Sequence, residues 1–192
     1  MSELQLDPVA TAFVVIDLQK GIVSRETVPH VASAVVQRSA QLLGTVRRVG
    51  VLPVLVHVGG APDYADRLRP SADLPTPTPN LPEDWSDFVP EMQPRPSEVV
   101  IFKRQWGAFY GTDLDLQLRR RGIDTIILCG ISTELGVEST ARFAYEHNYR
   151  QIFVEDAMAG FNAESHRNSV DRIFPRIGHV LSTEQVLMLL SA

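Results

Sequence analysis

Cysteine is almost absent. Cys129 is the single one in 192 residues, which rules out an intrachain disulfide framework and fits a reducing compartment. Long hydrophobic runs are missing too: no stretch approaches the roughly 18 apolar residues of a membrane span. The N-terminal MSELQLDPVA has neither the basic region nor the apolar core of a secretory signal. Positive charge is not in excess, since 18 Lys and Arg against 23 Asp and Glu leave a net charge of -5. Apart from the run at 119–121 the basic residues are scattered, and no basic stripe with interleaved aromatics appears. Neither nucleic acid nor a membrane is an expected partner, and the chain reads as soluble and cytoplasmic. There is no internal repeat, so repeat architectures are excluded.

What is present is apolar material in short, regularly interrupted runs. At 44% apolar composition, the chain can bury one substantial core and is short for two, so residues 1–192 are read as one domain. Thr11 to Leu18 is a nearly continuous apolar run, the mark of a central parallel strand buried on both faces. Asp17 falls at its C-terminal end. Residues 31–49 carry Val31, Val35, Leu42, Leu43, Val46 and Val49 at helical spacing, with Gly50 as the expected cap. A second strand spans Val51 to Val58. Between residues 59 and 97 the period is lost and nine of the thirteen prolines are found, which predicts a long surface excursion. Glu98 to Lys103 is the third strand. Thr112 to Asp115 reads as a variant capping box opening a helix to Arg121, closed by Gly122. Thr125 to Cys129 is the fourth strand, Gln151 to Glu155 the fifth, and a helix covers about 164–177. A short sixth strand near His179 to Leu181 and a helix from Thr183 finish the chain.

Six strands alternating with helices predict a three-layer α/β/α sandwich around a mainly parallel sheet. In the order 3-2-1-4-5-6, strands one and four are neighbours and ligands bind outside their carboxyl ends. That order brings Asp17 and Lys103 to the edge holding the turn in Ile126 to Ala144, IILCGISTELGVESTARFA. This turn ends a strand and opens a helix, so its backbone N–H groups and helix dipole can hold an anion or an oxyanion.

Four segments, VVIDLQKGI at 14–22, FKRQWGAFYGTDL at 102–114, GISTELGVESTARFA at 130–144 and VEDAMAG at 154–160, resemble the isochorismatase-like hydrolase (cysteine hydrolase) superfamily. FKRQWGAFYGTDL resembles members of the YecD type more than any substrate-defined enzyme. Nicotinamidases and carbamoylsarcosine hydrolases of this superfamily use an Asp, a Lys and a Cys nucleophile. The resemblance puts the acid at Asp17 and the lysine at Lys103, while the cysteine of the GxxTxxCV pattern falls on Gly136. It also implies a cis peptide at Ile131–Ser132, backbone oxyanion donors at Ser132 and Gly136, and frequent homodimers or higher homo-oligomers, which the aromatic segment 106–110 and the proline-rich loop also favour. Gln19, Arg104, Trp106, Phe109, Tyr110 and Thr133, inside the matching segments, are the candidate substrate contacts.

Glycine at 136 rules out a thioester route through that position. Cys129 lies seven residues earlier inside an apolar strand, where a free thiol is ordinarily an inert small hydrophobe. Ser132, Ser139 and Thr140 lack a His and acid at triad spacing. The superfamily's metal-binding amidases carry an Asp-x-His and further histidines after the second strand; here His57 is followed by VGGAPDYAD, and His30, His147, His166 and His179 are scattered. No metal and no cofactor are expected. Two functions stay open: a hydrolase without a Cys nucleophile, cleaving a vinyl ether of a small anionic, isochorismate-like metabolite with Asp17 as acid, or a non-catalytic protein binding a metabolite or partner on the same scaffold.

Overall fold

The computed structural model describes residues 4–74 and 81–191. Its strands are β1 (Thr11–Ile16), β2 (Leu52–Val58), β3 (Val99–Lys103), β4 (Thr125–Ile131), β5 (Arg150–Ala159) and β6 (His179–Leu181). They form one sheet in the order β3-β2-β1-β4-β5-β6, and every pairing is parallel. The helices are α1 (Lys20–Val23), α2 (Ala32–Val49), α3 (Leu114–Arg120), α4 (Glu138–Glu146), α5 (Ala163–Asn168), α6 (Phe174–Ile177) and α7 (Thr183–Leu189). Among the described residues no helix is long and apolar enough to cross a membrane.

The period of two along a strand builds two cores, one on each face of the sheet. From β1, Phe13 and Val15 pack with Val35, Leu42, Leu43 and Val46 of α2 and with Val186 of α7. Ala12, Val14 and Ile16 point the other way, against Leu114 and Leu118 of α3 and Ala141 and Ala144 of α4. On β4, Ile127, Cys129 and Ile131 join the α2 face, while Ile126 and Leu128 join the α3–α4 face. Gly50 caps α2 at φ 85°, a left-handed conformation in which glycine avoids the Cβ penalty.

Three local expectations are corrected. Residues 112–115 form no capping box: Asp113 makes no side-chain cap bond, and Thr112 Oγ1 instead accepts from Leu114 N at 3.1 Å. Strand five continues past Glu155 to Ala159 because it bulges; Leu128 faces Phe153 but Gly130 faces Met158. The bulge lets Asp156 leave the ladder and accept from Thr183 N at 2.7 Å and Thr183 Oγ1 at 2.8 Å. The helix read over 164–177 widens into a π-helical turn at Ser169–Ile173 between α5 and α6, next to Pro175, whose missing N–H breaks the regular ladder.

The proline-rich excursion is not wholly a surface loop. Phe88, Val89 and Met92 are part of the α2-side core, and Gln19 forms an isolated bridge with Phe88. Residues 75–80 of that excursion lie outside the described residues.

Candidate active site

The parallel register places the ends of β1, β3 and β4 along one edge of the sheet, and three side-chain positions converge there. Asp17 follows β1 directly and holds φ 52°, a left-handed conformation uncommon for a residue with a Cβ. Such a backbone costs on the order of 1–3 kcal/mol and persists where neighbours over-determine it; here Asp17 N donates to Val56 O at 2.9 Å. The adjoining strand comes equally close. Gly130 (φ 121°) pairs with Ile16, and a Cβ on it would lie 2.1 Å from Ile16 O, so only glycine fits.

Lys103 ends β3, two strands from Asp17, and reaches back over the edge. Its Nζ donates to Asp17 Oδ2 at 2.7 Å and to Trp106 O at 2.6 Å. Both residues are buried, Lys103 at 1% and Asp17 at 5% exposure, so the pair is shielded from solvent screening. Asp17 Oδ1 is buried with no hydrogen-bond partner among the described residues. Burial pushes the Asp17 carboxyl up from 3.8 to about 6, with the charge and hydrogen bond of Lys103 pulling the other way. The result is a carboxyl with one oxygen clamped by an ammonium and the other unpaired, titrating near the pH where a general acid works best.

The third position is Gly136, in a π-helical turn at Thr133–Val137 that leads into α4. A Cβ built on Gly136 lies 2.9 Å from Ile16 Cγ2, 3.2 Å from Asp17 Oδ2 and 3.5 Å from Lys103 Nζ. A side chain here would project into the ion pair. The Ile131–Ser132 peptide before the turn is cis.

Asp17, Lys103, Ser132 and Gly136 line a cavity of about 420 Å³, together with Arg104 and Trp106. The other four candidate contacts lie outside its lining. Gln19 is fully buried and acts as a stitch, its Oε1 accepting from Val58 N at 2.7 Å and its Nε2 donating to Val58 O at 2.9 Å and Trp85 O at 3.2 Å. Thr133 is also fully buried and pairs its Oγ1 with His166 Nδ1 at 2.8 Å. Phe109 packs inward, stacking on His147 and against Tyr149. Tyr110 turns to solvent, 73% exposed. The motif carries these four into the neighbourhood of the site; Gln19, Thr133 and Phe109 are buried in framework contacts there, while Tyr110 faces solvent.

Much of the remaining lining comes from outside the strands. Arg25 and Ile22 lie beyond β1, Tyr64, Arg67, Leu81 and Trp85 in the proline-rich excursion, and Phe161 after β5. One glycine in the matching motif held a usable signal: a Cβ on Gly21 would sit 2.0 Å from the Trp85 indole, so the ring lies flat on Gly21. Arg104 is paired with Asp66 and also lies over the Phe102 ring at 4.9 Å.

Cys129 is distant in chemistry as well as sequence. It is fully buried in the α2-side core, with its sulfur 3.5 Å from Ser39 Oγ, and burial pushes its thiol up to about 12. Among the described residues no group of three or more His, Cys, Asp or Glu is arranged to hold a metal ion.

Residues 11–185 match the isochorismatase domain. The chain is 50% identical over 184 residues to the isochorismatase family protein YecD of Escherichia coli O157:H7, covering 96% of this chain and 98% of that one. It is 47% identical over 189 residues to YwoC of Bacillus subtilis strain 168, covering 97% of each. An isochorismatase family protein from Burkholderia thailandensis superimposes with a TM-score of 0.93 at 43% identity, covering 98% of both chains. Sequence, topology and the Asp17–Lys103 pair at the strand ends agree, and the chain belongs to the isochorismatase family of hydrolases.

Proposed function

We propose that this family member hydrolyses without a cysteine nucleophile, cleaving the vinyl ether of a small anionic, isochorismate-like substrate with Asp17 as general acid. The observation that carries this reading is the Cβ direction of Gly136, 3.2 Å from Asp17 Oδ2 and 3.5 Å from Lys103 Nζ. In the resembling amidases a thiol belongs at that point; in this chain the space beside the acid is open to substrate or water. The chain's one thiol is buried on the other face of the sheet.

In this reaction the proton of the Asp17 carboxyl passes to the methylene carbon, forming a C–H bond as the C=C pair is used. The resulting oxocarbenium cation faces the new Asp17 carboxylate, which Lys103 keeps hydrogen-bonded. Water then adds to the cationic carbon and returns a proton to Asp17. Collapse of the hemiketal breaks its bond to the ring oxygen, which takes the hydroxyl proton, giving an alcohol and a ketone. For isochorismate the ketone is pyruvate. Proton delivery by a placed group is typically worth about 10²–10⁴ in rate. Arg25, Arg67 and Arg104 in the lining suit an anionic substrate, and the backbone at Ser132 and Gly136 is the proposed oxyanion contact.

The test is turnover: pyruvate release from isochorismate, set beside ammonia release from nicotinamide. The proposal expects the first and not the second. Ammonia release alone, or no product from either, contradicts it. The exposed aromatics Trp106 (61%) and Tyr110 (73%) further support a homo-oligomer, in the simplest case a twofold dimer; a monomer in sedimentation at micromolar concentration contradicts that part.

A further inference from the structure

Of the three arginines in the cavity lining, Arg25 is held in a distinct way. Its guanidinium lies 3.6 Å above the centroid of the Phe161 ring, and among the described residues its side chain has no carboxylate partner, whereas Arg104 is paired with Asp66. The platform beneath it is fixed from two sides. Phe161 N donates to Glu134 Oε1 at 2.9 Å, in the turn that carries Gly136. The segment bearing Arg25 is tied to the same strand end, with Val28 N donating to Gly160 O at 2.9 Å and Gly160 N to Val28 O at 2.7 Å. Glu134 also packs against Gly160, where a Cβ would lie 2.3 Å from Glu134 Oε2 and push that carboxylate aside.

A guanidinium stacked on a ring keeps its in-plane N–H fork free, and that fork matches the two oxygens of a planar carboxylate. Stacking also fixes the plane in advance, so little side-chain entropy is lost on binding. Apolar Ile22, Leu135 and Trp85 line the same cavity. From this geometry we infer that Arg25, seated on Phe161, is a specificity-determining residue that selects substrates bearing a planar carboxylate through a bidentate contact. The inference rests on the cavity being the substrate site, as argued above, but not on the acid chemistry of Asp17.

Binding of simple probes separates the two. Titration calorimetry with benzoate and its neutral isostere benzamide is run on wild type, Arg25→Gln, Arg25→Lys, Phe161→Leu and Asp17→Asn, each checked for folding by its melting temperature. A charge-assisted fork predicts wild-type preference for benzoate of about tenfold or more. Arg25→Gln should abolish the preference while still binding benzamide. Arg25→Lys should lose most of it, since an ammonium keeps the charge without the fork, and Phe161→Leu should weaken it with the arginine intact. Asp17→Asn should keep it, so failure of the proposed acid catalysis would leave this result standing. Equal binding of the two probes by wild type, or an undiminished benzoate preference in folded Arg25→Gln, overturns the inference.

Discussion

The two walls of the cavity are built by different physics. One is made of strand ends: Asp17, Lys103, Ser132 and Gly136 are buried at the ends of parallel strands and cannot move without disturbing the sheet. The other is made of irregular segments, with Arg25, Tyr64, Arg67 and Trp85 held by stitches such as Gln19, which joins β1, β2 and the proline-rich excursion. In the function proposed above, the first wall sets the chemistry, because burial and the ion pair tune one carboxyl, and the second sets what enters. Family members can therefore share the first wall while differing in the second, where binding groups on loops change at little cost to the fold.

Substitutions on each wall test this division. Asp17→Asn keeps the shape and removes the proton, and kcat on isochorismate should fall by about 10²–10⁴ with ligand binding preserved. A folded variant keeping more than about a tenth of the rate would place the donor elsewhere. On the other wall, Gly21→Val drives a side chain into the Trp85 indole, an overpacking that typically costs about 1–3 kcal/mol. It should raise KM more than it lowers kcat; equal loss in kcat and kcat/KM would show that Trp85 belongs to the reacting wall. Thr133→Val tests the framework between the walls. It leaves buried His166 Nδ1 unpaired, and denaturant unfolding should register about 1–3 kcal/mol less stability. The smallest effect belongs to the thiol: iodoacetamide should leave kcat unchanged, since Cys129 is buried and its thiol is held neutral, and rapid inactivation protected by substrate would contradict that.

The same contrast governs what the sequence made legible. The strand ends were readable because apolar runs ending in Asp17 and Lys103 fix both position and direction, and the order β3-β2-β1-β4-β5-β6 then brings them together. Gly136 was readable as the residue standing where the resembling amidases carry cysteine. Arg25 and Trp85 were not, because no period marks a residue whose place depends on how a loop folds back. Gln19, Thr133, Phe109 and Tyr110 share their motifs with Arg104 and Trp106 but lie outside the cavity lining; motif membership marks nearness to a site and does not separate a contact from its support.

Stability should carry the signature of the buried carboxyl too. The folded-state value for Asp17 lies above the unfolded 3.8, at about 6, so the folded chain holds more protons between the two and stability falls as pH rises through that window. Asp17→Asn should remove that part of the slope in urea midpoints measured across it. His166 acts in the opposite sense: burial lowers its pKa from 6.5, so its contribution is present above that value and is lost as pH falls.

The central claim is that Asp17 works in its protonated form, and the pH profile of kcat/KM for isochorismate tests it most directly, because that ratio reports the free enzyme's titrating group. With Asp17 titrating at about 6, wild type should be flat below that pH and fall towards tenfold per unit above it. Lys103→Met, if folded, should move the break to higher pH, since the lysine's downward pull is gone. A profile that stays flat or rises between pH 6 and 8 would mean that the ionised carboxylate is the working form, and would contradict the account.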